Sequence, residues 1–251
     1  MIRFLQALGC VNAVPGYFQA IKTVCERYGA LLIFDEIMCG MGRTGTLHAW
    51  EQEGVVPDLQ AIGKTLASGY APISTLLVSN SVIDTLKEGS GYFPHGQTYQ
   101  SLPPSCAAAL EVQRIIKEQD LVANVARMGV YLENLLRNRL GNHPNVGDIR
   151  GRGLFWAIEF VADKTTKEPF NAELEVAKRM GGKGLQKGYD ISLFAATGAA
   201  DGWNGDHFLL APPFTVTERD VEEIVVRICK VIDSVFKDLD AEGRIRKVGR
   251  T

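Results

Sequence analysis

Ala30-Leu31-Leu32-Ile33-Phe34-Asp35-Glu36-Ile37-Met38-Cys39-Gly40-Met41-Gly42-Arg43-Thr44-Gly45, then Pro57-Asp58, then Gly63-Lys64-Thr65, is the stretch on which the reading of this chain turns. The unbroken apolar run predicts a strand over Ala30 to Phe34 that is covered on both faces. It ends in two carboxylates, and a lone lysine follows in a glycine-flanked turn. Upstream, Val14 to Gly29 predicts a helix. Pro15 suits a first turn, Phe18, Ile21, Val24 and Tyr28 recur at helical spacing, and Gly29 marks the stop. Ile73 to Ser79 predicts another strand. Helix, strand, loop, strand in this order implies an α/β layer with a largely parallel sheet.

Beyond about residue 104 the character changes. Ser105 to Gln119 and Leu121 to Leu140 predict helices, the second with an apolar face of Val122, Val125, Met128, Leu132, Leu135 and Leu136. Val146 to Ile149 and Leu154 to Val161 predict strands with Gly151 and Gly153 between them. Ala172 to Lys187 predicts a helix, and His207 to Leu210 a short strand before Pro212-Pro213. Thr217 and Asp220 can open the last helix as a capping box, and Val221, Ile224, Val225, Ile228, Val231, Ile232 and Val235 form one stripe. A boundary near residue 115 is expected, with a smaller α+β domain over 116–251.

The 251 residues suffice for one large domain or two small ones. Lys plus Arg number 27 against 29 for Asp plus Glu, so nothing in the charge favours nucleic acid or an acidic membrane as a partner. The five cysteines are widely spaced without a CxxC, which reads as a reduced compartment. The longest apolar runs are strand-length, and Met1 to Leu5 lacks a signal-peptide layout. The cytosol is the expected location, with an organelle left open.

Three chemistries compete for the quoted stretch. Gly40-Met41-Gly42-Arg43-Thr44-Gly45 fits the glycine spacing of a dinucleotide fingerprint. In that motif, however, the acid follows the glycines by about twenty residues and the loop runs straight into a helix. Here the acids come first. Gly63-Lys64-Thr65 has the ending of a P-loop, but the position that needs its first glycine is Asp58, and an acid there repels a phosphate. The third chemistry is pyridoxal phosphate. Asp35, at the carboxyl end of a parallel strand, pairs with the pyridine nitrogen and keeps it protonated. Lys64 supplies the amine that binds the aldehyde and later carries a proton.

The block from Leu31 to Gly45, with Pro57-Asp58 and with Gly63-Lys64, its lysine 29 positions after Asp35, resembles the signature of class III pyridoxal-phosphate aminotransferases, the ω-aminotransferase group. The resemblance continues in Gly16-Tyr17-Phe18, His95-Gly96-Gln97-Thr98-Tyr99, Gly151-Arg152-Gly153-Leu154 and Ala211-Pro212-Pro213-Phe214. It implies the fold type I of pyridoxal-phosphate-dependent transferases: residues 1–115 as the C-terminal part of the cofactor-binding large domain, and 116–251 as the small domain. It implies a homodimer with active sites at the interface. It also implies Lys64 as the Schiff-base lysine, Asp35 as the ring-nitrogen partner, Ile37 packed on one ring face, and Thr98 with the Gln97 backbone on the cofactor phosphate across the dimer. The activity implied is ping-pong transfer of an amino group from an amine or amino acid to a keto acid or aldehyde. Racemase, decarboxylase and aminomutase chemistry stays open.

The resemblance also marks departures. Full-length members carry a long N-terminal part ahead of the region matching residue 1, so truncation is expected. A catalytically weak chain, or one that completes its site with another polypeptide, is the alternative. Met38 stands where some members have a glutamine, and Leu102-Pro103 replaces a His-Pro. Leu209 stands where relatives acting on α-carboxylates can carry an arginine, which argues against a guanidinium clamp there.

Overall fold

The computed structural model describes residues 2–3 and 9–245, and these divide into two compact units. The first holds Asn12–Val125 with residues 2–3; the second holds 126–245 with 9–11.

In the first unit, β1 (Ile2–Arg3), β2 (Ile33–Asp35), β3 (Leu59–Ile62) and β4 (Thr75–Val78) form one sheet in that order. The first two pairings are parallel and the last is antiparallel. Helix α1 (Tyr17–Arg27) precedes β2; α2 (Asn80–Glu88) and α3 (Pro103–Glu118) follow β4. Phe18 of α1 meets Phe34 of β2 edge-to-face at 5.4 Å, and both are buried. Asp58 Oδ2 accepts the Leu32 N–H at 2.7 Å, which sets the start of β3 beside β2.

Both local predictions here need trimming. Helix α1 starts at Tyr17 rather than Val14, because Gly16 takes φ 83° and closes off an earlier helical turn. Strand β2 starts at Ile33 rather than Ala30. The Ala30 N–H goes back to Cys25 O (2.9 Å), closing α1, and leaves Leu31 exposed.

Helix α4 (Leu121–Leu140) spans the division between the units. In the second unit, β5 (Val146–Arg152), β6 (Phe155–Asp163), β7 (Glu168–Pro169), α5 (Val176–Gly184), β8 (Phe194–Ala196), β9 (Asp206–Leu210) and α6 (Glu218–Ala241) follow. The sheet runs β5-β6-β9-β8, all antiparallel, with β7 also on β6. Gly151 lies within β5 rather than between strands. A Cβ there would meet Phe155 O at 2.3 Å, so the close pairing with β6 requires glycine. Phe160 of β6 lies against Phe208 of β9 (5.3 Å) and Phe236 of α6 (5.8 Å), joining sheet and helix through one aromatic cluster.

Helix α6 carries the expected capping box: the Thr217 N–H donates to Asp220 Oδ2 (2.8 Å), and the Asp220 N–H donates to Thr217 Oγ1 (3.3 Å). The helix predicted over Ala172 to Lys187 is broken. A 3₁₀ turn (Ala172–Leu174) ends at Glu175 with φ 50°, and α5 then starts afresh with Asp206 Oδ1 accepting the Ala177 N–H (3.0 Å). It stops where the Ile191 N–H reaches Gly184 O (2.8 Å). Residues 9–11 are tied to this unit by Arg150, whose Nε donates to Gly9 O (2.5 Å). None of the five cysteines is in a disulfide. Burial pushes the Cys10 thiol up to about 12, against the pull of Arg150, so it is a packing residue rather than a nucleophile. No described helix is long and apolar enough to cross a membrane.

Candidate active site

Register decides the geometry. Asp35 pairs with Ala61 across the parallel β2–β3 ladder, and the Glu36 N–H donates to Ala61 O (2.9 Å). Asp35 and Lys64 therefore leave the same, carboxyl end of neighbouring strands, which lie about 5 Å apart in such a ladder. This edge is where open α/β sheets bind ligands. Asp35 is half-buried, and its Oδ1 accepts the Ile37 N–H at 3.2 Å, which fixes the direction of the carboxylate. Ile37 reaches across to the lysine strand: its Cγ2 lies 3.5 Å from where a Cβ on Gly63 would stand. Asp35, Ile37 and Lys64 thus cluster at one strand edge.

Lys64 opens a 3₁₀ turn (Lys64–Leu66) with φ 43°, in the left-handed region, after an extended Gly63. A lysine has no intrinsic reason to sit there. The conformation costs about 1–2 kcal/mol and persists only where the surroundings impose it. The side chain is exposed and has no hydrogen-bond or ion-pair partner among the described residues. Gln97 and Thr98 belong to the first unit, at an exposed turn closed by Gln100 N–H to Gln97 O (3.0 Å). No described hydrogen bond joins either of them to Asp35 or Lys64.

The second acid of the pair plays a different part from the first. Glu36 is 1% exposed and turns inward. Its carboxylate accepts the N–H groups of Ala49 and Trp50 (2.8 Å each) and Gln60 Nε2 (2.8 Å). It thereby closes the glycine loop onto the first turn of a 3₁₀ helix (Ala49–Glu53) and onto β3. Burial pushes its carboxyl up to about 7, against these three donors, and Glu51 adds to the rise. Gln60 is held in turn by Trp50 Nε1 (3.2 Å) and lies 2.9 Å from His48 Nδ1. Sequence reading missed this network. The one available signal was a glutamine at the buried position of an otherwise apolar strand.

The competing motifs fail structurally. Gly40 to Gly45 form successive turns, with Met41, Gly42 and Gly45 at positive φ, and no helix starts there as a dinucleotide loop requires. Gly40 is needed for space, since a Cβ would meet Glu36 O at 2.9 Å. Asp58, which spoils the P-loop pattern, is occupied by Leu32 N–H and by Lys22 Nζ at 3.4 Å.

The sequence profile described as aminotransferase class-III matches residues 6–232. The chain is 52% identical over 225 residues to an aminotransferase of Gibberella zeae, covering 90% of this chain and 44% of that protein. It is 37% identical to a diaminobutyrate–2-oxoglutarate transaminase of Halomonas elongata, covering 95% and 50%. The crystal structure of a transaminase from the marine bacterium Virgibacillus superposes with a TM-score of 0.88 at 33% identity, covering 94% of this chain and 53% of that one. The chain belongs to the class-III aminotransferases, with the α/β, fold type I architecture the sequence implied. It spans about half the length of the curated relatives it matches.

Proposed function

We propose that this chain carries the cofactor-binding face of a pyridoxal-phosphate-dependent transaminase. The observation that carries the reading is the β2–β3 register, which brings a carboxylate and a lysine to one strand edge. The donor set fits the cofactor: an amine without a partner among the described residues for the aldehyde, a half-buried carboxylate for the pyridine nitrogen, and the Ile37 side chain as an apolar surface for a flat ring. When bound, pyridoxal phosphate supplies the electron-withdrawing ring that stabilises negative charge on the substrate α-carbon. Lys64 Nζ would hold the cofactor through its aldehyde and, when free, would serve as the general base and acid that moves the substrate α-proton. Asp35 would pair with the ring nitrogen and keep it protonated. Thr98 Oγ1 and the Gln97 backbone would hold the phosphate from across a homodimer interface; both residues are exposed on the isolated chain. The donor is an amine or amino acid. The relative that uses 2-oxoglutarate favours a 2-oxo acid over an aldehyde as acceptor.

The test is borohydride reduction of the purified chain with pyridoxal phosphate, followed by peptide mapping. The expected result is a reduced adduct on Lys64, absent in Lys64→Ala. An adduct only on other lysines, or none, overturns the reading. An adduct on Lys64 without turnover across a panel of amine donors identifies instead a chain that completes its site with another polypeptide.

A further inference from the structure

We propose that Gln113 of α3 is a positioning residue for Lys64: its side-chain amide clamps the turn that presents the lysine. The proposal rests on the reading of Lys64 as the cofactor lysine and adds to it the group that holds the turn in place. Gln113 Nε2 donates to Leu66 O at 2.9 Å and to Thr65 O at 3.3 Å, across 47 and 48 positions of sequence. Both acceptors belong to the three-residue 3₁₀ turn that begins at Lys64. Their identity settles the orientation of the amide, because two carbonyl oxygens can be served only by the NH₂ end.

The turn needs such a clamp. It holds Lys64 at φ 43°, and its own closing bonds are few: Leu66 N–H to Gly63 O (2.9 Å) and Ala67 N–H to Lys64 O (3.3 Å). A three-residue 3₁₀ turn has no cooperative length to defend a strained residue. Gln113 sits four positions after Ala109 and three before Ile116, both buried, so it rides on the packed face of a sixteen-residue helix. Helix α3 thus gives the turn a rigid support that local sequence does not. A carboxylate could not replace the amide, since it would set an acceptor against two acceptors.

Hydrogen–deuterium exchange on the cofactor-free chain tests the clamp directly. Gln113→Leu keeps the bulk and removes both donors. It is expected to speed exchange of the Leu66 and Ala67 amides about tenfold, while the α3 amides stay within about twofold of wild type. The same variant is expected to form the borohydride-fixed Lys64 adduct roughly tenfold more slowly at equal cofactor concentration. Gln113→Glu, equal in shape, covers the case in which the leucine variant does not fold. Its excess exchange at the turn, relative to wild type at the same pH, is expected to grow as pH rises through the carboxyl range. Turn exchange within twofold of wild type in both variants, or exchange raised equally along α3, overturns the assignment. A wild-type chain that gives no Lys64 adduct overturns the cofactor reading instead, so the two failures are distinguishable.

Discussion

Phe208 and Leu77 are both strand residues, one in each unit, and their surroundings differ. Phe208 is fully buried in β9, with Phe160 against it and Phe236 of α6 beyond. Leu77, in β4, keeps 41% of its surface exposed, and its neighbour Leu76 keeps 43%. The contrast holds along both units. The second encloses Leu132, Leu136, Leu154, Ile158, Met180, Ile228 and Ile232 completely. The first shelters Leu32 and Phe34 but exposes Tyr28, Tyr70, Tyr92, Tyr99 and Leu110. An antiparallel sheet with a long amphipathic helix can close a core within one unit. A short, mostly parallel sheet requires cover on both faces. The candidate site lies on the more open unit.

The largest effect that could break this contrast is in the second core. Phe208→Ala is expected to cost about 3–5 kcal/mol in a urea melt, the loss typical of an aromatic removed from a closed interior. A cost near 1 kcal/mol would mean that the second unit is no better packed than the first. Next comes the pH response of the first unit. Glu36 binds its proton more tightly when folded, at about 7, than in the unfolded chain near 4.5. The folded state therefore holds the extra proton, and its stabilising contribution is full below 4.5 and lost as pH rises through 7. The change is worth up to about 3 kcal/mol. Urea midpoints taken between pH 4.5 and 8 should fall in wild type and stay flatter in Glu36→Gln; identical slopes would refute the assignment to Glu36. Thr217→Ala, which removes one side of the α6 capping box, is expected to cost about 1 kcal/mol by the same measurement. Leu77→Ala closes the series at under 1 kcal/mol, because much of the side chain is already in water. A Leu77 loss as large as that of Phe208 would erase the distinction between the units.

What could be read in advance was local. The stripe and cap of α6 are contained in one segment and hold, with Thr217 as N-cap and the helix running on from Glu218 to Ala241. The β2–β3 ladder brings Asp35 and Lys64 to one strand end and Ile37 lies against Gly63, while the roles that the spacing suggested for them belong to the proposed function. Helix starts were less legible. Gly16 at φ 83° and Glu175 at φ 50° each interrupt a pattern whose hydrophobic periodicity runs on unbroken.

By itself, then, the sequence determined the class of the chain and the order of most of its elements, since each depends on short-range periodicity or on a motif read in line. Only the tertiary structure decided that the two acids at the tip of β2 part company, Asp35 half-buried with its Oδ1 on the Ile37 N–H and Glu36 in a buried network with Ala49, Trp50 and Gln60. It alone brought Gln113 to the lysine turn and residues 9–11 to Arg150. The physical reason is the same in each case. A buried polar group must find its partner wherever the fold supplies one, and that partner can lie dozens of residues away, where no periodicity reaches.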